Sequence, residues 1–320
     1  MPLSVNGSKV YSVYCNGDPV YQFAANGNII WKRSPRTIGV YVGGHYSTSY
    51  KLMTRVNING ALVSEESSLE RDTQASAGAS IGAYAGFASG RTSSYRGLFL
   101  VDSYGAITTT NAWGGTELRA VVPGASSLDA IGVWYGSTSF SSVDSVRRFD
   151  ESGQLIGDVT YIGVPRGRSG GAQLGTTAGF YGGIDPADSV TPINSLVKVS
   201  SSGTLTGSVT NLGTARHYVY SANADIYGLY YGGSDGTGYV NTLTRIAPNG
   251  ALVSAESSLS ARRYNGAGAS IGHLACFYAG YDTDITTYTN RLTKVDAYGT
   301  LIGADTFVGY ARYQNSGAST

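Results

Sequence analysis

Hydrophobic and polar positions follow the same order several times along this chain. One copy runs from a strand of small residues, "NGAGASIG" at 265–272, through the aromatic "LACFYAG" at 274–280 to "NRLTKV" at 290–295 and "TLIG" at 300–303. The alternation in "LTKV" has the period of two that is typical of a strand with one buried face. No stretch keeps a helical period, so each copy predicts four short β-strands.

Two glycine landmarks show that the copies recur at one spacing. The first landmark is the turn glycine before the fourth strand, found at Gly60, Gly105, Gly153, Gly203, Gly250 and Gly299. The second is a glycine that ends the aromatic strand, found at Gly43, Gly86, Gly136, Gly183, Gly232 and Gly280. Successive members of both sets lie roughly 43 to 50 residues apart, and a four-stranded unit of that length is typical of a β-propeller blade.

The number of copies predicts a closed ring. Residues 36–320 divide into six units of about 47 residues, but the first unit begins directly with its aromatic strand. The chain ends with "ARYQNSGAST", which matches "ARRYNGAGAS" at the start of the sixth unit. We therefore predict an all-β fold, a six-bladed β-propeller over 36–320, in which the C-terminal strand completes the first blade and leaves no exposed edge.

The repeated unit resembles the kelch repeat. Three features carry the resemblance: the glycine pair after an aromatic strand, an Asp near the end of the third strand (Asp102, Asp150 and Asp296), and one recurring Arg. The Trp that kelch repeats place in the fourth strand is missing, and three units lack the Asp. The resemblance implies a kelch-like binding platform, although a fold by itself does not assign a function.

The recurring arginines are open to two interpretations. They are Arg71, Arg119, Arg166, Arg216, Arg262 and Arg312. We interpret them as a structural ring, since one Arg in each unit is what packing between neighbouring blades requires. The alternative is a ring that binds an anionic group such as an acidic sugar or a phosphate.

Residues 1–35 have a different pattern. Asn-Gly pairs recur every ten residues at 6–7, 16–17 and 26–27, and Asn-Gly between β-rich runs is a strong hairpin signal. We predict a three-stranded β-meander with strands near 8–15, 18–25 and 28–33. Large apolar residues fall on both faces, which so small a sheet cannot bury alone. We therefore predict an assembly segment whose contact residues are Tyr11, Tyr14, Tyr21 and Trp31; packing on the first blade is the alternative.

This decapeptide pattern resembles segments of bacteriophage tail and fibre proteins. The resemblance implies a virion protein that is anchored to other tail proteins through residues 1–35 and exposed to the extracellular medium. Self-association of the chain, with or without a disulfide through Cys15, is left open. The N-terminus has no charged start followed by a long apolar run, so no signal peptide is expected.

The amino-acid composition limits the classes of partner that we expect. Lys and Arg number 22 and Asp and Glu 21, so bulk charge does not attract nucleic acid or anionic lipid. No apolar run is long enough to insert into a membrane. The 25 tyrosines suit an adhesive surface, because tyrosine gives a large contact area at a small entropy cost.

No residue pattern indicates catalysis, a cofactor or a metal site. The variable loops after the glycine pairs are typical of a recognition surface on a rigid scaffold. We expect ligand contacts from His45, Tyr46, Tyr50, Tyr95, Tyr239, Asp282 and Tyr288. The favoured function is a non-enzymatic virion adhesin for a host-surface glycan or protein; the alternatives are a kelch-like interaction module outside a virion and a glycan-active lyase or glycosidase.

Overall fold

The computed structural model describes residues 36–44, 51–69, 77–88, 97–112, 124–136, 143–185 and 190–320. At positions 111, 112 and 143, and in six short strands within residues 1–35, it describes the backbone alone. Every regular secondary-structure element in these residues is a β-strand, which confirms the all-β prediction. Within the described ranges there is no helix long and apolar enough to cross a membrane.

The strands of residues 1–35 form three separate hairpins. Each is a two-stranded antiparallel sheet, and the pairs are β1 (Leu3–Val5) with β2 (Ser8–Val10), β3 (Val13–Cys15) with β4 (Asp18–Val20), and β5 (Gln22–Ala25) with β6 (Asn28–Lys32). The single three-stranded meander stays a prediction, because residues between these hairpins lie outside the described part of the chain. A two-residue Asn-Gly connection pairs the residues directly on its two sides, as Val5 pairs with Ser8, so each decapeptide closes on itself. Tyr14 and Trp31 lie in β3 and β6, whereas Tyr11 and Tyr21 lie outside the described residues.

The first three larger sheets follow in chain order. Sheet 1 contains β7 (Ile38–Val42), β8 (Leu52–Asn57) and β9 (Ser67–Ser68). Sheet 2 contains β10 (Ala77–Ile81), β11 (Tyr84–Ala88), β12 (Gly97–Val101) and β13 (Ile107–Ala112). Sheet 3 contains β14 (Gly124–Leu128), β15 (Ile131–Tyr135), β16 (Val143–Phe149) and β17 (Thr160–Arg166). All neighbouring strands are antiparallel.

The other three sheets repeat this arrangement. Sheet 4 contains β18 (Gly170–Leu174), β19 (Thr177–Tyr181), β20 (Ser195–Val199) and β21 (Thr210–Asn211). Sheet 5 contains β22 (Tyr220–Ala224), β23 (Tyr227–Tyr231), β24 (Thr242–Ile246) and β25 (Ser257–Ser258). Sheet 6 contains β27 (Ala267–Ile271), β28 (Leu274–Tyr278), β31 (Arg291–Val295) and β32 (Thr306–Phe307). A small sheet beside it contains β26 (Arg263–Tyr264), β29 (Tyr281–Asp282) and β30 (Thr287–Tyr288).

The last strand of the chain completes the first sheet. β33 (Ser316–Ser319) pairs antiparallel with β7, with Ser316 opposite Val42 and Ser319 opposite Gly39. It occupies the place that the first unit of the sequence leaves empty, beside an aromatic strand. The edge of β7 that would otherwise be open is therefore covered. This is expected from the match between the end of the chain and the opening of the sixth unit.

The hydrophobic core consists of clusters that lie between consecutive sheets. Phe87 of sheet 2 packs in one cluster with Val40 of sheet 1, and Phe277 of sheet 6 packs in another with Leu229 of sheet 5. One cluster joins sheet 6 to sheet 1 and includes Tyr41. Because a second strand such as β7 packs on both faces, its sequence is continuously apolar instead of alternating.

The innermost strands of neighbouring sheets approach so closely that a side chain does not fit between them. A Cβ placed on Gly78 of sheet 2 would lie 2.5 Å from the carbonyl oxygen of Gly317 in sheet 1. A Cβ on Gly317 would in turn lie 2.5 Å from the oxygen of Gly268 in sheet 6. This contact explains the small residues in the first strand of each unit.

A set of partly exposed cations also joins consecutive sheets. Each comes from the alternating third strand and donates a hydrogen bond to a carbonyl in the turn between the third and fourth strands of the next sheet. The pairs are Arg55 with Ser103 at 3.0 Å, and Arg148 with Ser201, Lys198 with Asn249, Arg245 with Ala297 and Lys294 with Asn59, all at 2.8 Å. We call the end of the sheets that carries these turns the turn face, and the opposite end the loop face.

Candidate functional site

Four arginines near the loop face are fully buried between sheets. They are Arg166, Arg216, Arg263 and Arg312. Each lies at the end of the fourth strand of one sheet or after it, and donates hydrogen bonds to backbone carbonyls of the next sheet. The Arg216 Nη1 atom, for example, lies 2.9 Å from the oxygen of Gly232 and 2.7 Å from that of Thr242.

A hydroxyl completes these contacts at all four arginines, and a carboxylate also pairs with Arg216 and Arg312. The Arg216 Nη2 atom donates to the Thr244 hydroxyl and lies 3.5 Å from a Glu256 carboxylate oxygen. Arg312 has the equivalent partners, Thr54 and Glu66, with the carboxylate at 3.7 Å. A buried charge is tolerated only when it is paired and hydrogen-bonded, and these contacts meet that condition.

In sheets 3 to 6, a tyrosine at the end of the second strand lies beside the guanidinium of a buried arginine. Tyr181 lies 5.7 Å from Arg216, and Tyr278 lies 5.2 Å from Arg312, within the range of a cation–π contact. The tyrosine hydroxyl also holds the segment that carries the Arg. Tyr278 donates to the carbonyl of Tyr310 at 3.1 Å, two residues before Arg312.

The glycine pair after the aromatic strand, as at Gly182 and Gly183, makes room for this arginine segment. The Gly183 N–H donates to the Arg216 carbonyl at 2.7 Å. Gly182 has a φ of +70°, and a Cβ there would lie 2.5 Å from the same carbonyl oxygen. A side chain would therefore strain the backbone and collide with the arginine segment, which accounts for the motif.

These contacts show that the described arginines join sheets and do not form an open anion site, because their Nη hydrogens are directed at neighbouring sheets. In the fifth unit the buried arginine is Arg263 and not the predicted Arg262. The Arg262 side chain is 56% exposed and pairs with Asp284 at 2.6 Å. Neighbouring residues of an extended segment point to opposite sides, so an error of one position exchanges a buried residue for an exposed one. Arg71 and Arg119 lie outside the described residues.

The loop face carries a connected group of tyrosines, which we call the tyrosine belt. Its members are Tyr218, Tyr239, Tyr264, Tyr281, Tyr288 and Tyr313. The rings of Tyr239 and Tyr264 are stacked at 3.9 Å, and those of Tyr288 and Tyr313 at 4.4 Å. Tyr281 connects the two pairs, with ring centroids 5.6 Å from Tyr264 and 5.5 Å from Tyr288.

The small sheet beside sheet 6 places the middle of the belt. Tyr264 pairs with Tyr281, and Tyr281 pairs with Tyr288, on adjacent strands. Directly paired residues project from the same side of a sheet, so the three rings form one surface. Burial raises the pKa of Tyr264, and its contact with Tyr239 raises it further. The belt is therefore uncharged at neutral pH at this position.

The belt brings together two of the residues predicted to contact a ligand, Tyr239 and Tyr288. Asp282 differs from the prediction: its side chain is fully buried and lies 3.3 Å from Arg291. It alternates with the belt residue Tyr281 along β29 and so faces the interior. His45, Tyr46, Tyr50 and Tyr95 lie outside the described residues.

Sequence analysis missed four belt residues, Tyr218, Tyr264, Tyr281 and Tyr313. A signal for three of them is present in the sequence. Tyr264 and Tyr313 directly follow a buried arginine, and Tyr218 follows Arg216 by two positions. Ligand contacts were predicted only in the loops after the glycine pairs, whereas these three tyrosines lie in the connections between sheets.

His217, next to the belt residue Tyr218, also has a changed pKa. Burial lowers the pKa of His217 to about 4, and the nearby Arg168 guanidinium contributes to the same shift. The imidazole is therefore neutral at neutral pH.

Metal-binding and redox groups are sparse in the residues that the structure describes. No three His, Cys, Asp or Glu side chains there are placed to hold one metal ion. Cys276 is a free buried thiol, and burial raises its pKa to about 12. A thiol of this kind is unreactive and acts as a small core residue.

Comparison of the chain with models of known protein families gave no match, and comparison with curated protein sequences gave none either.

Proposed function

We propose that the protein is a non-enzymatic recognition protein whose six large sheets are the blades of a closed, kelch-like β-propeller. The interfaces between consecutive sheets support the ring, since the core cluster around Tyr41 and the Lys294–Asn59 hydrogen bond join sheet 6 to sheet 1. β33 supports closure by linking the end of the chain to its first sheet. The rigid ring would hold the loop face in a fixed shape.

The observation that carries the recognition function is the tyrosine belt. Six adjoining aromatic rings on one face are more than the scattered apolar residues of an ordinary surface. Tyrosine combines an apolar face with a polar hydroxyl, so it can stack on a sugar ring and also donate a hydrogen bond. We therefore propose a host-surface glycan as the ligand of the belt.

The proposed location is a bacteriophage virion, with residues 1–35 as the anchor to other tail proteins. The three short hairpins support this role, because isolated two-stranded hairpins are at best marginally stable in water and need a partner to pack against. The proposal makes the loop face the part that meets the host.

The test is binding of the purified full chain to a panel of bacterial surface glycans and to intact cells. We expect the double variant Tyr239→Ala, Tyr264→Ala to lose about tenfold or more in affinity, as for aromatic residues at the centre of an interface. The control is Tyr104→Ala, Tyr298→Ala, which removes two tyrosines that are 85% and 81% exposed in turn-face loops. Equal loss in both variants, or binding to no glycan, would contradict the proposal.

The location has its own test. Antibodies against residues 1–35 and against the loop face should label purified phage particles at the tail, with only the loop-face antibody blocking attachment to cells. Absence of the protein from particles would favour the interaction module outside a virion. Release of shorter saccharides from a bound polysaccharide would favour the glycan-active enzyme.

A further inference from the structure

We propose that the loop-face end of the central cavity binds the carboxylate of an acidic sugar, with Arg168 as the cationic contact and Asn315 and Ser169 as hydrogen-bonding contacts. This inference rests on the proposed function, because the sugar ring that carries the carboxylate would lie on the tyrosine belt at Tyr218. It adds the chemical class of the ligand.

The size of the cavity limits what can enter it. The innermost strands of the six sheets line a space of about 80 Å³, and a narrower space of about 20 Å³ lies against the same strands. Sites that enclose whole small molecules are usually ~300 Å³ or larger. The cavity therefore accepts a substituent such as a carboxylate, while the ring that bears it stays outside on the loop face.

Two buried side chains of the cavity wall have polar atoms with no partner. Asn315 and Ser169 are each only 5% exposed and both line the cavity. Neither the Asn315 Oδ1 and Nδ2 atoms nor the Ser169 Oγ atom has a hydrogen-bond partner. Leaving a buried donor or acceptor unpaired is costly, so these atoms point to a ligand. The Nδ2 and Oγ hydrogens are donors that suit a carboxylate.

Arg168 is the cation that the proposal adds to these donors. It directly precedes Ser169, and its guanidinium lies 4.7 Å from the Tyr218 ring. Its Nε atom is buried without a partner, and no carboxylate among the described residues pairs with it. Arg262, on the same face, differs because Asp284 neutralises it at 2.6 Å.

The backbone holds Arg168 in an uncommon conformation. Its φ is +57°, and that of Tyr218 is also +57°. Asn265 and Gln314 have nearly the same φ in the equivalent connections, so this left-handed conformation is a repeated feature of the connection between sheets. The Tyr218 N–H donates to the Arg168 carbonyl at 2.9 Å, which couples the two residues. His217 beside them is neutral at neutral pH, so Arg168 carries the positive charge.

The test compares acidic sugars with neutral partners by calorimetry on the full chain. The probes are sialyllactose against lactose, and trigalacturonate against its methyl ester. We expect at least one acidic probe to bind about tenfold or more tightly than its partner, as a charge-assisted hydrogen bond provides. Arg168→Asn should abolish this difference, because Asn tolerates the left-handed conformation and carries no charge. Arg262→Asn is the matched control and should keep it.

A second variant distinguishes the loss of a ligand contact from a loss of folding. Asn315→Leu should weaken binding of the acidic probe and leave the affinity for its neutral partner unchanged. The thermal midpoint of each variant is measured in parallel. The proposal is overturned if neutral and acidic probes bind equally, if Arg168→Asn retains the difference, or if only peptides with a free C-terminal carboxylate bind. If glycans bind through the belt without regard to charge, the proposed function survives and this inference fails.

Discussion

The loop face and the turn face each use cations to join consecutive sheets, but the two sets differ in burial. Near the loop face, a buried arginine such as Arg216 donates to two carbonyls, a hydroxyl and a carboxylate of the next sheet. Near the turn face, a cation such as Lys198 donates to one turn carbonyl, that of Asn249, and remains partly exposed to water. The same type of contact between the same two sheets is thus made in two dielectric environments.

This difference shows how strongly the free energy contributed by a cation–carbonyl hydrogen bond depends on whether water can reach it. A partly exposed cation exchanges a hydrogen bond to water for one to the protein, so its net contribution is small. A buried guanidinium is shielded from water, so its removal takes hydrogen bonds and a positive charge away from buried carbonyls and a carboxylate. Sheet 2 has Leu100 at the position of the turn-face cation, which shows that the molecule tolerates the loss of one exposed link.

The largest effect is expected from Arg216→Met. The substitution keeps most of the buried volume but removes the cation beside Glu256 and the hydrogen bonds to the carbonyls of Gly232 and Thr242. We expect the free energy of unfolding to fall by about 3–5 kcal/mol, measured by urea denaturation. A loss below about 1 kcal/mol would mean that burial does not distinguish the two sets.

Tyr278→Phe sharpens the comparison by removing one hydroxyl from the buried set. The hydroxyl donates to Val308 at 2.9 Å and to Tyr310 at 3.1 Å, and so holds the segment that leads to Arg312. We expect a loss of about 1–2 kcal/mol from the unpaired carbonyls. Thermal unfolding at matched protein concentration measures it, and an unchanged midpoint would show that Arg312 needs no such support.

His217→Gln tests a neutral side chain beside the buried set. The His217 pKa is about 4 in the folded protein against 6.5 for the free side chain. Between these pH values the unfolded chain binds a proton that the folded chain does not, so stability falls as the pH falls from 6.5 to 4. The variant should lose this part of the dependence. Stability curves that run parallel for the two proteins would contradict the assignment.

The smallest effect is expected from Lys198→Met, which removes one exposed link between sheets 4 and 5. The Lys198 Nζ atom lies 2.8 Å from the Asn249 carbonyl oxygen, and both groups can bind water instead. We expect a loss of about 1 kcal/mol or less in the same urea assay as for Arg216→Met. A loss as large as that of the buried arginine would overturn the comparison.

Much of the fold was predictable because its determinants are local. The small-residue strand, the aromatic strand and the alternating third strand each have a sequence pattern of their own, and the structure has a four-stranded sheet in each of the six units. The match between the end of the chain and the opening of the sixth unit also predicted the pairing of β33 with β7. The N-terminal meander stays a prediction, because the described residues of that segment show only the pairing within each hairpin.

The candidate site was less predictable because its members come from separate units. Tyr264 and Tyr239 are distant in sequence but stack at 3.9 Å, and no periodicity within one unit indicates that contact. Asp282 and Tyr281 are neighbours with opposite directions, so the polar residue became buried and the aromatic one became part of the belt.

The sequence by itself determined that this chain forms repeated four-stranded units, since strand periodicity and turn glycines act over a few residues. Only the tertiary structure decided which neighbour of each pair is buried, as with Arg263 and Arg262. It alone also decided which tyrosines meet and which polar atoms of Asn315 and Ser169 are left facing the cavity. Those outcomes depend on how the sheets pack against one another, and the free energy of that packing is shared among residues far apart in the chain.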